Sequence, residues 1–498
     1  MPRLRTSWGP DAPPPPDLVT PRDDLVLEHA EADGTFSLAG GPFTSYRRTI
    51  ERDLEADTVV ETIDYHLAIP WFGFLFWWPI RRALRSWRRT DGRQPWWAPP
   101  DRLDDRQAAV LGLLGAASVV AGFLNTLFTQ TSTFAADDFG IAKHGLGIAG
   151  TFVRLGIVLA LPLVFMADRI GRRRTVAFAA FSAPIVAAFG AIAPNFVLLT
   201  ATQSIARPLG LALDLLIAVV AAEEMPRSSR AYAVSILAMA SGLGAGICVM
   251  ALPLADIGSH GWRFVYLVPL VFLVFARDLS RRLPETKRFQ AAHATHIGLP
   301  RKRFTVLAAS ALIGNFFVAP ASFFQNNYLD RVRGYSAGRI SLFTLATQTP
   351  AGIGLVIGGK LADVRGRRVM AAAGLLFSTS FVVSSFQFGG AVMWSGAFLG
   401  GLVGGVAYPA LAVYRTELFP TGRRSWAGGL ITAAALIGGS GGLLLAGALL
   451  DHHGYGPVMG SLALCEVIVA VIVITTYPET AHRELEELNP EDQTATTP

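Results

Sequence analysis

Four ionisable residues stand inside long apolar runs: Arg154, Arg207, Asp214 and Glu466. A charge surrounded by hydrocarbon is costly unless paired or hydrated, so each marks a functional candidate. Two arginines at similar depth suit the capture of an anionic or polar group, because guanidinium donors match such acceptors. Asp214 follows Arg207 by seven residues, two helical turns along one face. A carboxyl there is a candidate proton site, its proton held or released according to burial and the nearby arginine. The competing reading is that Arg207 and Asp214 neutralise each other while Arg154 snorkels. Asn125, Gln130, Asn315, Gln325, Asn326, Asn327 and Gln348 would complete a polar cavity, or serve as hydrogen bonds between helices. Glu466 is expected to be a structural partner.

The elements that position these residues are apolar helices. The 498-residue chain is 51% hydrophobic and only 16% charged, with a mean hydropathy of +0.41. About a quarter of an ordinary soluble domain is charged, so a soluble enzyme is excluded. The two cysteines exclude a disulfide scaffold. From residue 106 onward twelve apolar blocks follow one another, at 108–131, 146–166, 175–193, 196–222, 231–256, 262–278, 304–328, 339–362, 369–388, 392–416, 425–450 and 456–477. Each is long enough to cross about 30 Å of hydrocarbon as a helix. Period-two alternation is absent, which excludes a membrane β-barrel. Of the lysines and arginines at the ends of the blocks and in the segments flanking them, from Arg81 on, 27 fall on one side and 5 on the other, so both termini are expected in the cytoplasm of a cell-membrane protein.

Three motifs occur twice. Asp168-x-x-Gly171-Arg172-Arg173 returns 195 residues later as Asp363-x-x-Gly366-Arg367-Arg368. Glu223-x-x-Pro226-x-x-x-Arg230 returns 194 later as Glu417-x-x-Pro420-x-x-x-Arg424, and Pro284-Glu285-Thr286 as Pro478-Glu479-Thr480. Blocks one to six and seven to twelve are therefore duplicated units of like orientation, expected to be related by a pseudo-two-fold axis along the membrane normal.

On these motifs the chain, from residue 106 to about 485, resembles the major facilitator superfamily, most nearly its sugar-porter and metabolite:proton symporter-like branches. The resemblance implies an all-α membrane protein with twelve transmembrane helices in two six-helix bundles, and with helices 2, 5, 8 and 11 at the contact between halves. Arg207 resembles the family's buried fourth-helix arginine. The expected organisation is a cytoplasmic extension (1–105), an N-terminal bundle (106–280), a central loop (281–303), a C-terminal bundle (304–480) and a tail (481–498).

The repeated charges read as a cytoplasmic gate. Asp168, Arg172, Glu223 and Arg230 in one half, with Asp363, Arg367, Glu417 and Arg424 in the other, would latch the halves when the far side is open. Glycines on helix 5 (Gly242, Gly244, Gly246), helix 8 and helix 11 (Gly438, Gly439, Gly441, Gly442) allow close helix contact.

The extension reads differently. Residues 35–67 alternate in places and predict a β-hairpin or small sheet. Residues 70–89 run from Trp71, Phe72, Phe74, Phe76, Trp77 and Trp78 into five arginines, the pattern of an amphipathic helix lying at an anionic membrane surface.

No His-x-x-x-His pair lies in an apolar block and no phosphate-binding loop is present, so no enzyme, metal site or cofactor is expected. The expected function is secondary active transport of a small polar or anionic organic solute by alternating access. A proton gradient would drive it, in a monomer that meets lipid and solute but no nucleic acid. The alternatives are efflux of drugs or lipophilic metabolites and, from another class, a transporter-like sensor signalling through the extension.

Overall fold

The computed structural model describes residues 2–11, 13–31, 34–53, 57–86, 91–95, 97–99, 101–226, 229–285, 300–419 and 424–480. The chain opens as a five-stranded antiparallel sheet. Its strands are β1 (Arg3–Trp8), β2 (Leu27–Ala30), β3 (Thr35–Gly40), β4 (Phe43–Asp53) and β5 (Thr58–Leu67), in the order β1-β5-β4-β3-β2. The β-hairpin or small sheet expected over 35–67 is a sheet, enlarged by β1 and β2 from the residues before it. Strand β1 pairs with β5 from Arg3↔Asp64 to Trp8↔Val59. Its sequence, Arg-Leu-Arg-Thr-Ser-Trp, has little intrinsic strand preference, and long-range pairing decides it. Helix α1 (Gly73–Ser86) covers the sheet. Ile80, Ala83 and Leu84 of α1 bury against Leu4, Phe43, Tyr46, Ile63 and Tyr65.

The remainder is helical: α2 (Asp105–Asp138), α3 (Lys143–Leu155), α4 (Ala160–Ile170), α5 (Arg172–Ala188), α6 (Phe196–Glu224), α7 (Arg230–Met250), α8 (Trp262–Val265) and α9 (Leu273–Arg282) form the first half. The second half holds α10 (Arg301–Arg331), α11 (Ala337–Gln348), α12 (Pro350–Arg365), α13 (Arg367–Gln387), α14 (Gly390–Glu417), α15 (Arg424–Leu450), α16 (Tyr455–Leu462) and α17 (Leu464–Thr476). Among the described residues, nine helical stretches are long and apolar enough to span a membrane. The other three apolar blocks of the sequence, 146–166, 262–278 and 339–362, are helices broken by 3-10 turns or at Thr349–Pro350. Proline lacks the N–H that would continue the ladder, so a break there is expected.

The sequence duplication is visible in the packing. A Cβ at Gly244 on α7 would lie 2.0 Å from the Val119 carbonyl on α2, and one at Gly438 on α15 would lie 1.9 Å from the Leu312 carbonyl on α10. Any side chain would push the backbones apart, so glycine is required at both. The two positions are 194 residues apart, the interval of the repeated motifs. Each contact lies inside one half. These two glycines therefore close their own bundles, while other faces of the same two helices meet the opposite half, as expected of helices 5 and 11: Ser341 of α11 donates to the Val249 carbonyl of α7 at 2.7 Å. Across the seam, Gly147 on α3 meets the Leu443 carbonyl and Gly447 on α15.

The third motif pair has a clear local role. Gly171 and Gly366, with φ of 103° and 93°, turn the chain directly ahead of α5 and α13, a conformation that favours glycine. The exposed N–H groups of the new helix are then capped. Glu285 accepts from Arg172 N at 2.9 Å and Arg173 N at 3.2 Å. Glu479 accepts from Arg367 N at 2.9 Å and Arg368 N at 3.1 Å. A carboxylate at a helix N-terminus satisfies orphan donors and meets the positive end of the helix dipole.

Candidate functional site

Arg154 lies near the end of α3, where its side chain is only 8% exposed. The end of α3 packs closely on α6, which carries Arg207: a Cβ at Gly156 would lie 2.5 Å from the Ser204 carbonyl and 2.8 Å from Pro208 Cγ. Arg154 also reaches the other half: a Cβ at Gly439 on α15 would be 3.4 Å from Arg154 Nη1. Nε of Arg154 and Nε of Arg207 are buried without a hydrogen-bond partner. Among the described residues, no carboxylate pairs with either guanidinium. Asn125 on α2 joins this region through Gly210 of α6, whose Cβ position lies 3.4 Å from Asn125 Oδ1. That oxygen also lacks a donor.

Asp214 sits apart from this pair. It lines a cavity of about 650 Å³ with Ser241 of α7, Gln348 at the end of α11, Ala351 of α12 and Gly401 and Tyr408 of α14. The cavity runs between the two halves. No ion pair joins Arg207 to Asp214 among the described residues. The seven-residue spacing sets both on one face, but two turns are about 10 Å, beyond direct contact.

The amides divide by depth. Asn326 on α10, 2% exposed, donates at 2.9 Å to both the backbone and the side-chain oxygen of Gln130 on α2. Asn327 accepts from Tyr455. Asn315 donates to the Ala311 carbonyl one turn back, at 3.1 Å. Gln325 is half-buried and Gln348 exposed. The geometry thus sets Arg154 and Arg207 on adjoining helices, with Asn125 facing α6 one turn from Arg207, and separately Asp214 and Gln348 on one cavity, while Asn326 and Asn327 serve helix contacts. Glu466 on α17 is 2% exposed. Its Oε2 has no partner, and its Oε1 lies 3.2 Å from the Cβ position of Gly314 on α10.

At the face opposite the arginine-rich loops the halves are joined. Arg331 at the end of α10 pairs with Asp137 at the end of α2. Lys143 Nζ donates to the Leu450 carbonyl at 3.0 Å, and Thr151 Oγ1 to that of Ser440 at 3.1 Å. Asp256, beyond α7, caps α11 by accepting from Ala337 N at 2.8 Å and Gly338 N at 2.7 Å. Sequence reasoning missed this cluster. Lys143 and Arg331 are two of the five positive charges on the sparser side, where they signal only topology, and a capping aspartate from a distant segment leaves no local signal.

At the arginine-rich face, the side chains of Asp168, Glu223, Arg230, Asp363, Glu417 and Arg424 lie outside the described residues. Arg172 and Arg367 are described, and their backbones bind Glu285 and Glu479 of their own halves. Arg367 Nη1 also donates to Thr480 Oγ1 at 3.0 Å.

A model of the Major Facilitator Superfamily matches residues 113–329 and 304–496. A Haemophilus influenzae protein described as a metabolite transport protein is 27% identical over 291 residues, 53% of this chain and 70% of that protein. Among solved structures, the inward open conformation of the xylose transporter XylE from E. coli superposes with a TM-score of 0.65 at 15% identity, covering 77% of this chain and 99% of that one. A bacterial homologue of the human lysosomal transporter Spinster, inward-facing and unoccupied, gives a TM-score of 0.60 at 16% identity over 78% of this chain and 98% of that one. With two halves built on the same glycine contacts and helix caps, and with the family model matched across both, the chain belongs to the Major Facilitator Superfamily: it is a membrane transporter of solutes, not an enzyme.

Proposed function

We propose that the protein is a secondary active transporter that moves a small polar or anionic organic solute by alternating access, driven by a proton gradient. The observation that carries this reading is the Arg154–Arg207 pair. Two neighbouring guanidiniums with buried, unpartnered Nε groups and, among the described residues, no acidic partner are an incomplete site. An anion that bridges them would supply the missing acceptors and offset the repulsion. Arg154 also touches the opposite half at Gly439, so a bound anion would report on the distance between halves.

The joined ends of the bundles lie away from the arginine-rich face. If that face is cytoplasmic, as the positive charges favour, the arrangement is the inward-facing member of the cycle. Twelve crossings, a cell-membrane location with cytoplasmic termini and a monomeric state complete the proposal. Asp214, on the wall of the cavity, is the proton site.

Uptake of labelled organic anions into proteoliposomes under an imposed pH gradient tests it. Accumulation should follow the gradient and disappear when the gradient is collapsed. Asp214→Asn should abolish gradient-driven accumulation while leaving downhill exchange. A variant that still accumulates solute to the full extent removes Asp214 from the mechanism.

A further inference from the structure

The segment that joins the extension to the first bundle builds a second site. Pro70 and Phe72 lie against α2: Cβ positions at Gly112 and Gly115 would be 2.7 Å from Pro70 Cδ and 3.2 Å from Phe72 Cε2. These glycines come seven and ten residues after Asp105, about 10–15 Å along the helix and inside its apolar run. The segment therefore sits where hydrocarbon gives way to headgroups. Trp71 between them holds a φ of 63°, a left-handed conformation costly for a bulky residue. It is held there by contact with α9. Its ring meets Phe275 at 4.7 Å between centroids, and Nε1 donates to Asp278 at 3.0 Å.

Between Trp71 and α9 lies a groove of about 450 Å³, lined by Pro70, Trp71, Val274, Arg277, Asp278 and Arg281. Val274, Arg277 and Arg281 follow at intervals of three and four, one helix face, passing from apolar to basic toward the arginine-rich end. Asp278 is already engaged, with Arg282 at 2.8 Å and with Trp71. The guanidiniums of Arg277 and Arg281 have no ion-pair or hydrogen-bond partner among the described residues. The groove is continuous with lipid-facing surface: Val271 and Val274 on one side, and Phe74, Leu75 and Trp78 of α1 on the other, are all more than half exposed. Arg81 and Arg82 stack over Trp77 and Trp78, at 5.0 and 5.5 Å from the ring centroids, and continue the basic rim.

We propose that this groove binds one anionic phospholipid, with its phosphate between Arg277 and Arg281 and its acyl chains along Val274 and the Trp71 ring. The two guanidiniums present donors that a phosphate accepts. The apolar-to-basic order along α9 matches the order of chain and headgroup in a bilayer leaflet. A lipid in this position fastens the extension to α9 of the transport bundle.

Native mass spectrometry of the full chain, with dioleoylphosphatidylglycerol or dioleoylphosphatidylcholine added to the micelles, tests the site. One phosphatidylglycerol should remain bound under activation that strips phosphatidylcholine. The double variant Arg277→Gln/Arg281→Gln should lower the retained fraction about tenfold, equivalent to the 1.4 kcal/mol that separates decades of affinity. Both side chains are exposed, so folding should hold, and an unchanged thermal midpoint checks it. Val274→Trp, which fills the groove and keeps both arginines, should also lose the lipid. Equal retention of the two lipids, or full retention by either variant, overturns the proposal. So does displacement of phosphatidylglycerol by inorganic phosphate, which would make the groove a site for a free anion.

Discussion

Two sets of buried arginines can be set side by side. In the extension, Arg22 is 1% exposed and Arg48 is fully buried, and both are fully served. Arg22 bridges Asp24, at 2.9 Å, and the carbonyls of Ala83 and Leu84 that end α1. Arg48 meets Glu28 at 2.6 Å and Glu61 at 3.4 Å, and Tyr46 donates to the same Glu28 at 2.6 Å. Burial and that neighbouring carboxylate hold the Tyr46 hydroxyl well above its ordinary pKa, so it stays a donor. Inside the bundles, Arg154 and Arg207 have no carboxylate partner among the described residues. The same side chain is finished in one region and unfinished in the other. Completeness marks a structural ion pair, whereas an unmet requirement points to a group that comes and goes.

The largest effect should come from breaking the finished set. Arg48→Leu leaves Glu28 and Glu61 buried without their cation and should cost about 3–5 kcal/mol, the usual penalty for orphaning a buried charge. Limited proteolysis should then cut the extension while the bundles stay intact. A variant extension as resistant as the original would mean that the network does not hold the sheet together.

The unfinished set should respond in the opposite sense. Arg154→Gln and Arg207→Gln should each reduce solute uptake about tenfold to a hundredfold, one or two charge-assisted hydrogen bonds' worth. Neither should lower the thermal midpoint, because no intramolecular pair is lost. A midpoint that drops as it does for Arg48→Leu would erase the distinction between the regions.

The helix caps should fall between these. Glu285→Gln and Glu479→Gln should each cost about 1 kcal/mol, as the loss of a charged N-terminal partner does. The two losses should be similar if the halves are equivalent, which thermal unfolding in detergent can compare.

The smallest effect lies at the exposed pair of Arg3 and Asp64, 2.8 Å apart. The hydrogen bond from Arg3 holds the Asp64 carboxyl below its ordinary value of 3.8. Folding therefore favours the charged form. The contribution is present above the unfolded pKa and is lost as pH falls through the lower folded one. Fluorescence of Trp8 on β1 should follow this loosening in acid, and Asp64→Asn should remove the dependence.

Much of this architecture was legible in the sequence because hydrocarbon imposes a simple code. Apolar blocks, arginine-rich turns and motifs repeated at 194–195 residues announce two like-oriented halves. Arg154 and Arg207 stood out because a charge in an apolar run is conspicuous. What stayed hidden depends on contacts between distant segments. Strand β1 exists through its pairing with β5, sixty residues away. Asp256 acts as a cap for α11, eighty residues on. Gly244 and Gly438 looked like seam residues, since small residues show that something packs closely but not which helix does so. The Pro-Glu-Thr repeats were visible as words, while the capping role of their glutamates required the turn at Gly171 and Gly366.

The most direct test of the central claim is a thermal-shift screen of the purified full chain against organic anions and their neutral amide or ester counterparts, run in parallel on Arg154→Gln/Arg207→Gln. The account predicts that one class of anion raises the midpoint of the native chain, that its neutral counterpart does not, and that the double variant responds to neither. Equal stabilisation by charged and neutral forms, or an undiminished shift in the double variant, would contradict it.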